Sequence, residues 1–264
     1  MKWIISTILT GLIIGAGVFG YFFVKDYVRS QLSASSTIVA TEDVKEERDQ
    51  GKTEEKDVKD VINEVQQKVV MIEVPSRGSI GSGFLYNDQG DILTNSHVVR
   101  GATNVIVKTA DERELEGIVI GAGDRLDVAV IRVPALRGET PLQLANQYGG
   151  DLGDEVLALG SPLGLQNTVT TGIISGVERD FDIDQYSYEN VFQISAPIAP
   201  GNSGGPLVLR DNGMVIGINS AVAEQGSIGF SIPIRQIIDV VVNWSHSAEH
   251  SNIPSISTTN NKGS

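Results

Sequence analysis

Residues 81–99 read GSGFLYNDQGDILTNSHVV, and this stretch decides the fold class because it places two short β-like runs around a turn. The runs are GSGFLYN and DILTN, and the turn between them closes on Gly90. Apolar runs of this length, bounded by turn-forming residues, are typical of antiparallel strands. The stretch ends near His97, the only histidine in the apolar part of the chain.

The same pattern of short runs and turns extends from residue 69 to residue 244. The runs are VVMIEV, GSGFLYN, DILTN, NVIVKT, GIVIGA, VAVIRV, EVLALG, TVTTGIIS, VFQIS, PLVLR, MVIGINS and IGFSIPI. About a dozen strands at this spacing favour a sandwich or a pair of barrels over a parallel α/β sheet. Apolar residues at helical spacing predict a closing helix from Pro233 to Trp244. The sequence therefore predicts an all-β protein with a C-terminal helix.

Residues 3–24 form an uncharged, apolar run near the N-terminus. About 20 apolar residues suffice for a helix that spans a bilayer, whereas the apolar part of a cleaved signal peptide has only about 7–15. We therefore expect residues 1–25 to be a cytoplasmic tip and a retained transmembrane helix. Basic residues flank the run on both sides, so charge alone does not predict its orientation.

Polar segments border the predicted folded domain on both sides. Residues 26–57 are rich in Ser, Thr, Glu, Lys and Asp and are expected to form a flexible acidic and polar stalk. A short helix with Asp60 as its cap is predicted next, because apolar residues recur at helical spacing: Val61, Ile62, Val65 and Val69. We place the folded domain at residues 58–244 and a disordered tail at residues 245–264.

Composition excludes several classes of function. The 264 residues carry a net charge of −13, which argues against nucleic acid as a partner because phosphate binding needs a basic surface. The chain has no cysteine, so disulfides, zinc–thiolate sites and thiol catalysis are excluded. Two of the three histidines, His246 and His250, lie in the predicted polar tail. We expect neither a metal nor a cofactor.

Ser203 lies in a glycine-rich heptapeptide, GNSGGPL, at residues 201–207. Glycines allow backbone angles that other residues avoid and a close approach to a ligand. The N–H groups of Gly201 and Ser203 could then point at a developing oxyanion, where one such donor contributes on the order of 10²–10³ in rate. The alternative is an ordinary turn that holds a solvated serine.

Three side chains that are remote in sequence together indicate a catalytic site, although each alone is a weak signal. His97 at a strand end and Asp127 before an apolar run are each, taken alone, more often structural than functional. A serine nucleophile, however, needs a neighbouring base, and that base needs a carboxylate to fix its tautomer. The chain supplies these groups in the order His97, Asp127, Ser203, which is the order of the two-barrel serine proteases.

Five stretches of the chain resemble, in order, the HtrA (Deg) family of serine proteases over about residues 69–238. They are GSGFLYNDQGDILTNSHVV, DVAVIRV, GDEVLALGSPLGLQNTVTTGIISG, GNSGGPLV and IGFSIPI. The resemblance implies a chymotrypsin-like fold of two six-stranded antiparallel β-barrels, at about residues 66–140 and 141–244.

The resemblance also implies site residues. Asp124 is a rival carboxylate, but Asp127 directly precedes the apolar strand, as in the family's motif. The implied catalytic triad is His97, Asp127 and Ser203, and the implied oxyanion hole is the backbone of Gly201, Asn202 and Ser203.

Specificity follows from the same resemblance. Cleavage after Lys or Arg needs an acid six residues before the nucleophile, where this chain has Pro197. Ile198 and Val222 match positions that narrow the pocket, which predicts small aliphatic residues before the cut; plain core packing is the alternative. Ser220, Ala221 and Val222 are expected to pair with the substrate backbone as an added strand, which requires an extended, locally unfolded polypeptide.

Departures from the family pattern leave some properties open. Ser195 and Ala199 stand where the family commonly has Asp and Asn, which puts full activity in doubt. The family usually carries a C-terminal peptide-binding PDZ domain, and we expect none in this sequence. A homo-oligomer stays open, because residues 58–69 lack the aromatic contacts that the family's trimers often use.

The expected function is a serine endopeptidase that cleaves unfolded or exported proteins in protein quality control. The resemblance places it as a single-pass protein of the cell membrane with an extracytoplasmic protease domain. The alternatives are a protease-fold peptide-binding or regulatory module with little or no turnover, and an acyl hydrolase such as an esterase.

Overall fold

Twelve strands in the described residues form two closed, six-stranded antiparallel barrels. The computed structural model describes residues 56–161, 168–198, 201–222 and 228–250, without the side chains of residues 221 and 222. The predicted transmembrane helix and most of the predicted stalk lie outside the described residues. In the described ranges, none of the helices has the length and apolar character needed to cross a bilayer.

The first barrel contains strands β1 to β6, in the order β1-β2-β3-β6-β5-β4. It closes where β1 pairs with β4. An apolar cluster fills its interior, and β3 and β6 are buried along their whole length. The strands are β1 (Val69–Val74), β2 (Ser79–Leu85), β3 (Asp91–Thr94), β4 (Asn104–Lys108), β5 (Glu114–Ala122) and β6 (Ala129–Arg132).

The second barrel contains strands β7 to β12, in the order β10-β11-β12-β9-β8-β7. It closes where β10 pairs with β7. A further apolar cluster joins side chains of both barrels with those of the C-terminal helix. The strands are β7 (Glu155–Gly160), β8 (Thr168–Ile183), β9 (Tyr186–Ile194), β10 (Pro206–Leu209), β11 (Val215–Val222) and β12 (Gly229–Pro233).

Helix α1 (Val58–Gln66) precedes the first strand and packs Val61 and Val65 into the core. Its cap is Asp57, whose side chain accepts a hydrogen bond from the Lys59 N–H at 2.9 Å. The prediction of Asp60 as the cap is therefore wrong by three residues. The remaining short elements are α2 (Ser96–Val99) and a single 3₁₀ turn (Pro134–Leu136).

Helix α3 (Ile234–His250) continues six residues past the predicted end at Trp244, so the predicted disordered tail does not begin at residue 245. The extension is stabilised by buried polar contacts with the first barrel. The Ser245 hydroxyl bonds to the Tyr86 hydroxyl, and the Ser245 carbonyl accepts from the Arg132 guanidinium at 3.2 Å. These partners lie 113 or more positions away, so the local composition gave no sign of the contact.

A buried ion pair links β3 to β6 beneath this helix. The Arg132 guanidinium donates to both carboxylate oxygens of Asp91, at 2.7 and 2.9 Å. Both side chains are almost fully buried, and Asp91 holds the pKa of Arg132 above its usual value. The bidentate geometry satisfies both charges in a region from which water is largely excluded.

Candidate active site

His97 lies in α2, directly after β3, and its ring contacts Asp127. The ring Nδ1 is 2.8 Å from Asp127 Oδ2, and the His97 backbone N–H donates to Asp127 Oδ1 at 2.9 Å. The Asp127 side chain is fully buried, whereas the His97 side chain is 34% exposed. The Nδ1 side of the His97 ring is therefore fixed against Asp127, and the exposed part of the ring remains accessible to a ligand.

The turn that carries His97 is attached to the segment that carries Asp127. Asn95 donates from Nδ2 to the Asp127 carbonyl at 2.7 Å, and the Ser96 hydroxyl donates to the Gly123 carbonyl at 2.8 Å. Strand β3 ends at Thr94 and pairs with Ala129 of β6, which brings the two segments side by side. These contacts within the first barrel thus bring the segment that carries His97 beside the segment that carries Asp127.

Two hydroxyl groups of the second barrel complete the surroundings of Asp127. Tyr188 donates to Asp127 Oδ2 at 2.7 Å, and Ser220 donates to the same oxygen at 2.8 Å. Burial by itself would raise the pKa of Asp127, but the hydrogen bonds and charge of His97, together with the Tyr188 hydroxyl, outweigh burial and lower it. The carboxylate is therefore ionised near neutral pH.

Ser203 lies in a loop whose backbone requires glycine on both sides. Gly201 and Gly204 have φ values of +101° and +87°, which L residues rarely adopt. A Cβ on Gly204 would also overlap the Ser82 carbonyl oxygen. The Ser203 carbonyl accepts from the Ser82 N–H at 2.8 Å, so the serine backbone is anchored to strand β2 of the other barrel.

The Ser203 hydroxyl donates to the Ser220 carbonyl oxygen at 2.9 Å. Within the described residues, no hydrogen bond joins His97 to Ser203. Catalytic hydrogen bonds are often long or absent before a substrate binds, because they tighten only in the complex. The structure thus brings His97 into direct contact with Asp127 and links Ser203 to that pair through Ser220.

Ser82 is a buried residue of the first barrel that hydrogen-bonds to the second barrel. The sequence analysis did not identify it as a site residue. Its hydroxyl donates to the Gly201 carbonyl and accepts from the Ser161 N–H, the latter at 2.8 Å. Its own carbonyl accepts from the Thr94 hydroxyl at 2.6 Å. These bonds fix the orientation of the Gly201–Asn202 peptide immediately before the serine.

Asn202 is fully buried beside Gly160, on the second-barrel side of the loop. Neither its side-chain oxygen nor its side-chain nitrogen has a hydrogen-bond partner in the described structure. The main chain around it is well paired, since its carbonyl accepts from the Gly205 N–H at 3.0 Å. Asn202 thus contributes to the loop through its backbone.

The predicted substrate-binding residues lie on two neighbouring segments. Ile198 is 8% exposed and packs against Gly229, where an added Cβ would come within 2.5 Å of its Cγ1. Gly229 pairs with Val222 across β11 and β12, and Ala221 precedes Val222 on β11. The backbone of β11 therefore lies beside Ile198 and runs directly on from Ser220.

The remaining positions of the sequence analysis that the structure describes lie outside the cluster of His97, Asp127 and Ser203. Asp124, the rival carboxylate, is exposed, and the carboxylate that contacts the His97 ring is that of Asp127. The Ser195 hydroxyl accepts from the Ile173 N–H at 3.0 Å, so this serine is bonded to strand β8. Ala199 lies outside the described residues. The Pro197 carbonyl accepts from the Thr170 hydroxyl at 2.8 Å.

Tyr188 is the second site residue that sequence reasoning missed. It stands in the alternating segment YSYEN, where an aromatic residue is usually interpreted as core. The described residues also contain no group of three or more His, Asp or Glu side chains arranged to hold a metal ion. The arrangement brings together a buried carboxylate, an imidazole and a hydroxyl.

Two antiparallel barrels with a His–Asp pair and a serine loop at their junction define an all-β, chymotrypsin-like fold. The sequence profile described as "Trypsin-like peptidase domain" matches residues 81–218, just over half of the chain. The chain belongs to this trypsin-like peptidase family, and its domain is of the HtrA/DegP serine protease type.

Relatives and solved structures agree with this assignment. "Protease Do-like 1, chloroplastic" of Arabidopsis thaliana is 40% identical over 178 residues, which cover 65% of this chain and 40% of the relative. "Probable periplasmic serine endoprotease DegP-like" of Halomonas elongata is 43% identical over 168 residues, which cover 62% and 35%. The chain thus spans about two fifths of these relatives' length.

Structural similarity extends over most of the described residues. A structure of the HtrA-type protease AlgW with a tripeptide matches with a TM-score of 0.66 and 33% identity, over 73% of this chain and 65% of that chain. A serine endoprotease from Yersinia pestis matches with a TM-score of 0.64 and 31% identity, over 73% and 68%. The prediction of a chymotrypsin-like, HtrA-type domain is confirmed.

Proposed function

We propose that the chain is an HtrA-type serine endopeptidase in which Ser203 is the nucleophile, His97 the general base and Asp127 the group that orients His97. The observation that supports this most directly is the 2.8 Å contact between His97 Nδ1 and the buried Asp127 carboxylate. An ionised carboxylate accepts a hydrogen bond from Nδ1–H, which leaves Nε2 unprotonated and free to take the proton of a hydroxyl. The second barrel holds the Ser203 hydroxyl on the Ser220 carbonyl, and the hydroxyl of the same Ser220 donates to Asp127.

In the proposed reaction, Ser203 exchanges its bond to the Ser220 carbonyl for one to His97 Nε2. Its oxygen attacks the peptide carbonyl carbon while its proton passes to His97, which later donates that proton to the leaving amine. Water then hydrolyses the acyl-enzyme by the reverse proton path. The Ser220 carbonyl, once released, can accept from an N–H of the substrate backbone.

The backbone of Gly201, Asn202 and Ser203 is proposed as the oxyanion hole. The Ser82 hydroxyl and N–H hold the carbonyls of Gly201 and Ser203, which leaves this turn little freedom to rotate. Preorganised donors of this kind contribute because they need no reorientation when charge develops.

The proposed substrates are extended segments of unfolded or exported polypeptides, cut after small aliphatic residues. Ile198 lies against Gly229 and beside the Val222 backbone, which would leave a short apolar pocket. The position of Pro197 carries no acid to attract Lys or Arg. Ser220, Ala221 and Val222 would pair with the substrate as an added strand. The solved HtrA-type relative AlgW is described with a tripeptide and with a decapeptide.

A role in protein quality control at the membrane completes the proposal. Residues 1–25 would anchor the chain through a single transmembrane helix, with the protease domain on the extracytoplasmic side and residues 26–57 as a stalk. The Halomonas elongata relative is named as periplasmic, which is consistent with that side. Assembly as a homo-oligomer remains part of this proposal.

A peptide-binding module with little turnover is the second candidate. Two observations favour it: the Ser203 hydroxyl bonds to the Ser220 carbonyl, and the buried Asn202 side chain lacks partners in the described structure. Both describe a loop that could require a further adjustment before it catalyses.

The test uses the full chain in detergent, an unfolded protein substrate and a fluorophosphonate that labels activated serines. We expect cleavage and labelling by the wild type, and loss of both in Ser203→Ala. Asp127→Asn and Asp124→Asn form a matched pair of carboxylates, and only the former is expected to lower kcat/KM, by roughly 10⁴-fold. Cleavage that survives in Ser203→Ala would contradict the proposal, and binding without cleavage or labelling would support the binding module.

A further inference from the structure

Three hydrogen-bond donors converge on one oxygen of the Asp127 carboxylate. Oδ2 accepts from His97 Nδ1 at 2.8 Å, from the Tyr188 hydroxyl at 2.7 Å and from the Ser220 hydroxyl at 2.8 Å. The other oxygen accepts the His97 backbone N–H. Because the carboxylate is fully buried, these protein groups supply the hydrogen bonds that water would otherwise donate to its charge. The Tyr188 hydroxyl therefore competes with the imidazole for the charge of the same atom.

The Tyr188 side chain is suited to remain a donor. It is 4% exposed, and burial together with the Asp127 charge raises the pKa of its phenol well above the ordinary value. The hydroxyl also lies 3.1 Å from the Ser220 hydroxyl, and the carbonyl of that residue holds Ser203. One phenol thus touches the carboxylate and the residue that holds the proposed nucleophile.

The second barrel fixes where this phenol lies. The Tyr188 ring stacks on Phe181 with centroids 5.1 Å apart, and Phe181 in turn packs on Phe230 at 4.5 Å. Next to it, the Ser187 N–H donates to the Arg125 carbonyl at 2.9 Å, only two residues before Asp127. The hairpin of β8 and β9 is therefore docked on the segment that carries the carboxylate.

The other charged and titratable groups around the carboxylate are already engaged. Arg100, which follows α2, donates to the Tyr186 hydroxyl at 3.3 Å and lies over its ring. Arg125 donates from its side chain to the Ser187 hydroxyl at 3.1 Å. Among the titratable side chains of the described residues, His97 and Tyr188 are the two that hydrogen-bond to the Asp127 carboxylate. Loss of the Tyr188 hydroxyl therefore changes the interaction of Asp127 with His97 directly.

We propose that Tyr188 is a positioning residue, which holds the Asp127 carboxylate in register with His97 and reduces the negative charge that the imidazole experiences. The inference rests on the proposed protease function and deepens it, because it makes the second barrel a determinant of the basicity of His97. Without the phenol hydroxyl, Asp127 binds the imidazolium more strongly, and the protonated ring persists to higher pH.

The test compares Tyr188→Phe with Tyr86→Phe in the full chain. Both changes remove one buried phenol hydroxyl, but Tyr86 bonds to the Ser245 hydroxyl and the Val241 carbonyl and touches no site residue. For Tyr188→Phe we expect kcat/KM to fall about 5- to 30-fold, mostly through kcat, and its acidic limb to move up by about 0.5 pH unit. For Tyr86→Phe we expect an unchanged profile, whatever the change in unfolding temperature.

A measurement without turnover keeps this inference separate from the proposed function. The His97 ring is titrated by NMR in a Ser203→Ala background, with His246→Gln and His250→Gln used to assign its signal. Its midpoint should rise in Tyr188→Phe and stay constant in Tyr86→Phe, even if the protein proves to be a binding module. An equal midpoint in both variants would overturn the role of Tyr188, whereas loss of the proposed function alone would appear as absent cleavage and labelling in the wild type.

Discussion

The Ser82 hydroxyl offers a sharp test of how the serine loop is held. It donates to the Gly201 carbonyl and accepts from the Ser161 N–H, and Ser82 itself is fully buried. Ser82→Ala removes both bonds without adding volume. The two backbone groups then lose a partner at the junction of the barrels, just before the proposed nucleophile.

The expected cost follows from the burial of these groups. A buried backbone group left unsatisfied costs about 1–3 kcal/mol, and Ser161 is 4% exposed, whereas Gly201 is only partly buried. We therefore expect the free energy of unfolding to fall by about 2–3 kcal/mol, which lowers Tm by roughly 5–10 °C for a domain of this size. Because the Gly201–Asn202 peptide loses its anchor, kcat should fall by about 10- to 100-fold, short of full loss of an oxyanion donor.

Thermal and urea unfolding of the full chain, together with kcat on a small-residue peptide, measure both effects. Ser231→Ala is the matched control, because Ser231 is also fully buried but its hydroxyl has no partner in the described structure. Removing that hydroxyl should change the unfolding free energy by less than about 0.5 kcal/mol or raise it. Our reasoning is refuted if Ser82→Ala unfolds and turns over like Ser231→Ala.

Three further predictions concern stability, pH and specificity. Asp91→Asn leaves the buried Arg132 charge uncompensated, so unfolding free energy should fall by about 3–5 kcal/mol, and an added Arg132→Met change should restore much of it in urea unfolding. Burial raises the pKa of Tyr86 from 10.0, the ordinary value of a tyrosine, to about 12, so above pH 10 the folded state keeps a proton that the unfolded state loses. The contribution of Tyr86 to the free energy of unfolding should therefore be constant below pH 10 and should decline by up to about 3 kcal/mol as pH rises toward 12. Tyr86→Phe should flatten this decline when the free energy of unfolding is measured across the alkaline range. Gly229→Ala places a Cβ 2.5 Å from Ile198 Cγ1, so cleavage after Val should fall at least about tenfold relative to cleavage after Ala, whereas Ile198→Ala should favour larger residues in a peptide series.

Most strands could be predicted from the sequence because each combines a short apolar run with a clear turn. VVMIEV and EVLALG coincide with β1 and β7 residue for residue. Strand β8 was predicted only to residue 175, yet it continues to Ile183 through the polar segment GVERDFDI. This part is mostly exposed and is held by pairing with β9, with several register shifts, so apolar patterning gave no signal for it.

Site residues could be predicted where the chemistry requires a particular residue type. They could not be predicted where a role depends on which distant residue a side chain meets in the fold. The resemblance to the HtrA family favoured Asp127 over Asp124, and the structure places Asp127 on His97. Tyr188 and Ser82 were missed because their partners lie 61 and 119 positions away, across the two barrels. A hydroxyl in a strand carries no local sign of which distant atom it meets, since that depends on the packing of one barrel on the other.

The proposed catalytic groups are divided between the barrels, and this division has a mechanical consequence. The first barrel holds His97 and Asp127, whereas the second holds Ser203. The bonds that bring them together all cross the interface: Ser82 to the serine loop, and Tyr188 and Ser220 to Asp127. Hydrogen bonds weaken steeply with distance and angle, so a small shift of one barrel would disturb every one of them at once. Activity should therefore be lost at a lower denaturant concentration than the strands of either barrel, because each barrel has a closed sheet and an apolar cluster of its own besides the cluster that the two barrels share.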